Sequence, residues 1–447
     1  MNLRSSLYFQ AHRLVGIPIG REYQQLLREE YSKHPVEIIR NRLTDVLSHC
    51  HRNVPYYTCI MNTLGNSYQI DPIAYLADFP ILTKATIRQN FEQLKSADLV
   101  QRKWKYNTSG GSTGEPLRLI QDRDFVALTG AIQWLSFHWA GREIGQAAIR
   151  VWGSERDILQ GSIGLKMTLL NQLTRDTWVN AFRLTPATMR AFIGKINTHP
   201  PELIIAYAQA IYELAQFAEL EQIPIAPQKA IVTSAGTLHT FMRQKIEAVF
   251  QCKIFNRYGS REVGDIACEC AAHAGMHIFT RGCYVEIVDD DGHRLPDGME
   301  GEILVTSLTN KVMPLVRYAI GDRGILSPDE TCICGRRGLK LKKISGRNVD
   351  AFRKADGTLV DGEYFTHLLY FRDWVKKFQV IQEDYQTIVF KIVGSAPNGK
   401  PEECKEIIQN TKKVMGDQCV VRFDFVDDIP LASSGKYRYT ISKVHSS

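Results

Sequence analysis

Between Gln146 and Tyr258 short β-rich runs alternate with stretches of helical period, and no other feature restricts the fold as strongly. Ala147 to Trp152 reads as a strand, Thr185-Pro186 as the N-cap and first-turn proline of a helix, and Leu203 to Tyr207 as a strand with a helix following through Leu220. Ala230 to Ser234, Leu238 to Phe250 and Lys253 to Tyr258 repeat the strand, helix, strand rhythm. Parallel strands need such crossovers, so the pattern predicts an α/β fold with a mostly parallel sheet. Ligands of these sheets bind in loops beyond the carboxyl ends of the strands.

The flanks have different textures. Leu26, Leu27, Ile38, Ile39, Leu43, Val46 and Leu47 recur at helical spacing and predict a helical start. After His277 hairpins are expected: Tyr284 to Asp289, a turn at Asp291-Gly292, then Gly301 to Ser307. Beyond Ser345, strands Val375 to Gln382 and Thr387 to Val393, a helix from Pro401 and a strand Val420 to Phe425 describe a small α+β domain. The expected domains are therefore 1–345, with a β-rich part over 276–345, and 346–447.

Composition excludes several classes. No apolar run approaches a membrane span, and Met1 to Gly20 lacks the order of a secretory signal. The ten cysteines then point to a reducing, cytoplasmic setting rather than a disulfide framework. Lys and Arg exceed Asp and Glu by 55 to 48, a dispersed excess that suits anionic small molecules and carries no nucleic-acid module. One basic run, Arg336 to Lys354, offers a surface for phosphates.

Five short motifs carry chemistry. Thr108-Ser109-Gly110-Gly111-Ser112-Thr113-Gly114 crowds backbone N–H groups and hydroxyls into a turn, as a phosphate chain requires, without the Gly-Lys-Ser/Thr ending of a Walker loop. Tyr258-Gly259-Ser260-Arg261-Glu262 follows the last core strand, where an aromatic can stack a base and a carboxylate can hold magnesium. Gly321-Asp322 offers an acceptor for ribose hydroxyls; Ser345-Gly346-Arg347-Asn348-Val349-Asp350 and Ser434-Gly435-Lys436-Tyr437-Arg438 complete the set.

In this order the motifs resemble the adenylate-forming superfamily of acyl-CoA synthetases, adenylating domains and luciferases. Asn53-Val54-Pro55-Tyr56-Tyr57, Phe79-Pro80-Ile81-Leu82-Thr83-Lys84 and Met313-Pro314-Leu315-Val316-Arg317-Tyr318 are similar to the phenylacetate-CoA ligase branch and its capsule-locus relatives. The resemblance implies that Thr108 to Gly114 hold the ATP phosphates, that Ser234-Ala235-Gly236 and Tyr258 sandwich adenine, that Glu262 binds Mg2+ and that Asp322 grips ribose. It further implies a nucleotide contact for Arg347, a hinge at Asp350, a mobile lid over 346–447, and Lys436 meeting both the substrate carboxylate and the phosphate. Departures are Glu115 where lysine is frequent, Thr237 where glutamate is common, and Arg261 where threonine is usual, which brings a positive charge toward the α-phosphate.

Cys270, His277, Cys332 and Cys334, with Cys268 and His273 as substitutes, supply enough thiolates and imidazole for a structural zinc site if folding unites them; idle buried cysteines are the alternative. Trp134, Trp139, Trp152, Tyr207 and Ala208 are candidates for an acid pocket. Arg150, Glu155 and Arg156 favour a polar acid, whereas apolar lining favours an aryl acid. The implied activity is ATP-dependent adenylation of a small carboxylic acid, then transfer to a thiol, coenzyme A, or alternatively to an amine; a homodimer and a non-catalytic nucleotide-binding protein stay open.

Overall fold

The computed structural model describes residues 2–32, 34–108, 117–152, 165–181, 184–236, 238, 240–327, 331–347, 352–356, 358–360, 362–369, 372, 374–394, 401–429 and 439–444. The chain forms two compact units, one of Met1–Asn107 with Arg118–Ser345, the other containing Gly346–Ser447.

In the first unit a two-stranded sheet pairs β1 (Trp104–Thr108) with β2 (Arg118–Asp122). The main strands are β3 (Ala148–Trp152), β4 (Asp176–Asn180), β5 (Leu203–Tyr207), β6 (Ala230–Ser234), β7 (Lys253–Ser260), β8 (Gly264–Glu269) and β9 (Met276–Ile278). They continue with β10 (Cys283–Val288), β11 (Glu300–Ser307), β12 (Tyr318–Ser327) and β13 (Lys340–Arg347). All belong to one 11-stranded sheet, ordered β10-β11-β12-β13-β9-β8-β7-β6-β5-β3-β4.

Strands β4, β3, β5, β6 and β7 pair in parallel, and Leu203-Ile204-Ile205-Ala206 is buried throughout, as expected of a strand covered on both faces. Alternation divides the two faces. Ala148, Leu203, Ile205, Ala230, Val232 and Phe255 pack on the helix Arg123–Trp139 and the N-terminal helices. Ile149, Val151, Ile204, Ala206, Ile231 and Ile254 pack on helices Pro186–Thr198, Ala208–Leu220 and Thr240–Phe250. Thr185 closes the capping box of the first of these helices, with Pro186 in its first turn.

The parallel core is as expected, and the β-rich part continues the same sheet through antiparallel pairings, so the whole sheet is mixed. The reason lies at Gly264, where a φ of +79° turns the chain back so that β8 pairs antiparallel with β7. A Cβ there would lie 2.4 Å from Thr129 Cγ2, so only glycine makes this reversal. The parallel edge is thereby covered by strands instead of being left open. Strand β4 was not expected, because its residues are only half buried and show no apolar run.

The second unit contains β14 (Phe352–Arg353), β15 (Leu359–Val360), β16 (Val375–Gln382), β17 (Thr387–Gly394), β18 (Val420–Phe425) and β19 (Thr440–Ser442). Its four-stranded sheet runs β18-β17-β16-β19. The parallel β17–β18 pair requires a crossover, supplied by the helix Pro401–Met415 with Glu402 and Glu403 in its first turn and Lys412 and Lys413 in its last. Phe365, Phe378, Val380, Phe390, Ile392 and Ile407 form the core of this unit.

Candidate functional site

The carboxyl ends of the parallel strands gather the residues that the sequence singled out. Ser234 ends β6, and Ala235 turns the chain with a left-handed φ of +55° into Gly236. Tyr207 ends β5 and Ala208 opens the next helix. Tyr258, Gly259 and Ser260 lie near the end of β7, where a Cβ on Gly259 would approach the Gly264 carbonyl oxygen to 2.6 Å. Arg261 is exposed, whereas Glu262 is buried.

Asp322 sits on β12, far away in sequence, yet the Tyr258 hydroxyl donates to its Oδ2 at 2.7 Å. The Tyr318 hydroxyl reaches Glu262 Oε1 at 3.5 Å. Both carboxylates are more than nine-tenths buried. Buried carboxylates at the end of a sheet suit a role in holding ligand hydroxyls and a metal ion.

The strands bordering the glycine-rich loop are tied to this group. Gln121 Nε2 donates to the Arg261 carbonyl oxygen at 2.8 Å, and Asn107 Nδ2 donates to Gln121 Oε1 at 2.9 Å. Thr108 is described, but Ser109, Gly110, Gly111, Ser112, Thr113 and Gly114 lie outside the described residues, as do Asp350, Lys436 and the Arg347 side chain. Asn107 and Gln121 went unnoticed in the sequence because their role depends on β1 and β2 pairing.

The three phrases that carried the branch resemblance meet in space. Tyr57 donates its hydroxyl to the Pro314 carbonyl oxygen at 3.0 Å and accepts from the Val316 N–H at 3.2 Å. Leu82 N–H donates to the Arg317 carbonyl oxygen at 3.0 Å, and the Arg317 guanidinium donates to the Phe79 carbonyl oxygen at 2.6 Å. None of these residues is reactive; together they fix the start of β12, which presents Asp322.

Cys270, His277, Cys332 and Cys334 converge, with one ligating atom of each within 4.8 Å of the others. Cys270 Sγ lies 3.9 Å from Cys332 Sγ, and Cys334 Sγ lies 3.5 Å from His277 Nε2. Two thiolates bound tetrahedrally to one zinc at about 2.3 Å each stand about 3.8 Å apart, so the donor set fits such an ion. Gly335, at a φ of +86°, closes the turn in which Gly335 N–H donates to the Cys332 carbonyl oxygen. Burial, with Arg336 and Lys340 nearby, pulls His277 down to about 4, leaving a neutral imidazole. Burial and the neighbouring thiols push Cys270 up to about 12.

Cys268 is not a substitute ligand. It lies in the core against the helix Arg123–Trp139, and His273 contacts Glu269 and Phe255. The acid-pocket candidates also separate. Trp134 donates to the Tyr8 hydroxyl at 3.1 Å, and Trp139 stacks on Phe279 while donating to Glu30 at 2.7 Å, so both are core residues. Trp152 and Tyr207 come together with ring centroids 4.4 Å apart. Arg150 is committed to Asp176 at 2.9 Å. Glu155 and Arg156 lie outside the described residues. In the basic run, Arg336 pairs with Glu30 and lies over Trp139, and so buttresses the thiol cluster instead of offering charge to phosphates.

A mixed sheet of this order is the fold of the acyl-CoA ligases, and homology to CapK and to phenylacetate-CoA ligases supports a place in the adenylate-forming superfamily. Residues 352–443 match the family described as the CapK C-terminal domain. Protein CapK of Staphylococcus aureus is 24% identical over 431 residues, covering 94% of this chain and 92% of CapK. A phenylacetate-coenzyme A ligase of Aromatoleum evansii is 26% identical over 318 residues, 69% of each chain. A solved 2-hydroxyisobutyryl-CoA ligase, bound to 2-HIB-AMP and CoA in its thioesterification state, shares the fold with a TM-score of 0.60 at 16% identity, over 91% of this chain and 90% of that one. Among the described residues no helix is long and apolar enough to cross a membrane.

Proposed function

We propose that this protein activates a small carboxylic acid with ATP and transfers the acyl group to coenzyme A. The Tyr258–Asp322 hydrogen bond beside buried Glu262 is the observation that carries this reading. An aromatic face suited to a base and a carboxylate suited to ribose hydroxyls share this hydrogen bond, and the carboxylate of Glu262 suits magnesium.

In the first step a carboxylate oxygen of the acid attacks the α-phosphorus, the bond to the β-phosphate oxygen breaks, and pyrophosphate leaves. A carboxylate is a poor electrophile, and exchanging its oxygen for AMP supplies a leaving group. The attack brings two anions together; Lys436 meets the acid carboxylate and α-phosphate, and Arg261 adds a second cation. Glu262 would hold Mg2+, which would supply positive charge for the departing pyrophosphate. Residues 108–114 donate to the phosphates, Ser234-Ala235-Gly236 faces Tyr258 across adenine, and Arg347 contacts the nucleotide. In the second step the thiolate of coenzyme A attacks the acyl carbon and AMP departs with its oxygen; turning of residues 346–447 about Asp350 separates the two steps. Cys270, His277, Cys332 and Cys334 would hold a zinc ion in a structural role, because four protein ligands leave no open position. The cytoplasm supplies both ATP and coenzyme A.

Acid-dependent pyrophosphate release from Mg-ATP, trapped with hydroxylamine and then repeated with coenzyme A or with an amine, tests the proposal. Release with an acid and thioester formation support it. Amide formation without thioester moves the acceptor to an amine, and silence with ATP bound refutes adenylation.

A further inference from the structure

Strand register sets four side chains in a row at the ligand end of the sheet. Val151 pairs with Ala206, Tyr207 with Ser234, and Thr233 with Asn256. One residue further on, Trp152 stands beside Tyr207 and Ser234 beside Arg257; Trp152 packs on the cluster under the helix Arg123–Trp139 and Tyr207 on the cluster of the other face. The row beneath is Arg150, Ile205, Val232 and Phe255. The outermost row carries two rings, a hydroxyl and a guanidinium.

Three strand spacings separate β3 from β7, about 14 Å of backbone. Even so, the Arg257 guanidinium carbon is 5.8 Å from the Trp152 ring centroid. Trp152 also lies against Tyr207, with ring centroids 4.4 Å apart. The Arg257 side chain is only 3% exposed and donates from Nη1 to Asp265 Oδ2 at 3.1 Å. Its buried Nε has no acceptor among the described residues. Beneath it, Arg142 and Arg150 share the single carboxylate of Asp176. Among the described residues, three buried guanidiniums face two carboxylates.

Successive residues of a strand point to opposite faces, so Tyr258 and Arg257 divide the end of β7 between them. Tyr258 belongs to the nucleotide through Asp322. We propose that Arg257 reads the far end of the acid, donating to an oxygen that the substrate carries in addition to its reacting carboxylate, with Trp152 and Tyr207 flanking the carbon skeleton. The substrate is then a compact oxygen-bearing acid, hydroxylated or dicarboxylic, and not a hydrocarbon aryl acid. This rests on the ligase reading above.

The test is pyrophosphate release by the full chain with a uronic acid, a short hydroxy acid, a short dicarboxylic acid and phenylacetate. A kcat/KM at least about 100-fold higher for one of the oxygen-bearing acids is expected, the size of preference that a site built around a substrate hydrogen bond gives. The hydroxylated and dicarboxylic arms separate the two sources of that oxygen. Arg257→Met should lose about 100-fold on the preferred acid while keeping its KM for ATP and its rate on phenylacetate. Because Arg257→Met strands Asp265, the paired variant Arg257→Met/Asp265→Leu, which removes both charges, is measured alongside. Preference for phenylacetate in the parent, or equal losses on every acid in both variants, overturns this inference and leaves the ligase reading standing. Pyrophosphate release with no acid at all overturns both.

Discussion

Tyr258→Phe keeps the ring proposed to face adenine and deletes only the hydroxyl that donates to Asp322 Oδ2 at 2.7 Å. A hydrogen bond to a charged acceptor contributes about 1.5–3 kcal/mol, and Asp322 is only 8% exposed, so water replaces the lost donor poorly. If the bond orients Asp322 for ribose, ATP affinity falls by about 10- to 150-fold, with little change in the acid dependence. Asp322→Asn removes the charge and weakens ATP at least as much. The discriminating quantity is the coupling between them. The double variant Tyr258→Phe/Asp322→Asn should be scarcely weaker than Asp322→Asn alone, because the hydroxyl then has no carboxylate to hold. Calorimetric ATP affinities for the four proteins, with thermal unfolding to confirm folding, supply the cycle. Additive effects, or an unchanged affinity in Tyr258→Phe, refute the idea that this bond prepares the ribose site.

Further outcomes follow from particular contacts. Asp176→Asn strands the guanidiniums of Arg142 and Arg150 in the core and should cost about 3–5 kcal/mol in urea unfolding, whereas Asp71→Asn, whose pair with Arg40 is 42% exposed on both sides, should cost under about 1 kcal/mol; equal losses would contradict the difference in burial. Burial raises the Glu286 carboxyl to about 6, with Arg317 opposing the shift, so the native state holds this proton more tightly than the unfolded chain does. Its stabilisation is complete below pH 4.5 and is lost as pH rises through about 6, a change of about 2 kcal/mol that Glu286→Gln should remove from unfolding curves at pH 4.5 and 7; the same pH slope in that variant would exclude Glu286 as the source. The purified chain should carry one zinc ion, and its removal by a chelator, or Cys332→Ser, should lower Tm by several degrees while leaving the KM for ATP unchanged; metal-free protein with unaltered Tm would exclude a structural ion. Lys436→Ala should slow pyrophosphate release by about 100- to 1000-fold without loss of Tm, and a parental rate would remove Lys436 from the chemistry.

Elements whose burial is set by local pattern were legible in the sequence. Leu203-Ile204-Ile205-Ala206 is apolar at every position, which suits only a strand covered on both faces, and Thr185-Pro186 carries both signals of a helix start. The second unit was equally open, because Val375 to Gln382 and Thr387 to Val393 sit around a short polar turn. Pairings across long separations were not. Arg336 looked like part of a phosphate-binding run, and nothing near it in sequence reveals that Glu30, 306 residues away, holds it. Arg150 looked like a pocket cation until Asp176 on the neighbouring strand claimed it. Cys268 and Cys270 differ by two positions, and only the end of β8 between them separates a core thiol from one facing Cys332.

The site followed the same division. Tyr258, Glu262 and Asp322 could be named from residue chemistry, since a ring, a carboxylate and a glycine turn have few uses together in a ligand loop. Their alignment could not, because it depends on residues with no chemistry of their own. Tyr57, Leu82 and Arg317 lie in three phrases spread over more than half of the chain, and each acts through a backbone contact: the Pro314 carbonyl oxygen, the Arg317 carbonyl oxygen, the Phe79 carbonyl oxygen. Arg317 also takes a left-handed φ of +48°, a conformation that a large side chain adopts only when its surroundings compel it. The compulsion is visible in its guanidinium, which reaches Phe79 and Gly292 carbonyl oxygens and Glu286 together. The next residue, Tyr318, begins β12 and touches Glu262; four residues later the same strand delivers Asp322 to Tyr258. A strained, heavily tethered arginine immediately before that strand fixes its starting point, and with it the spacing between Glu262 and Asp322.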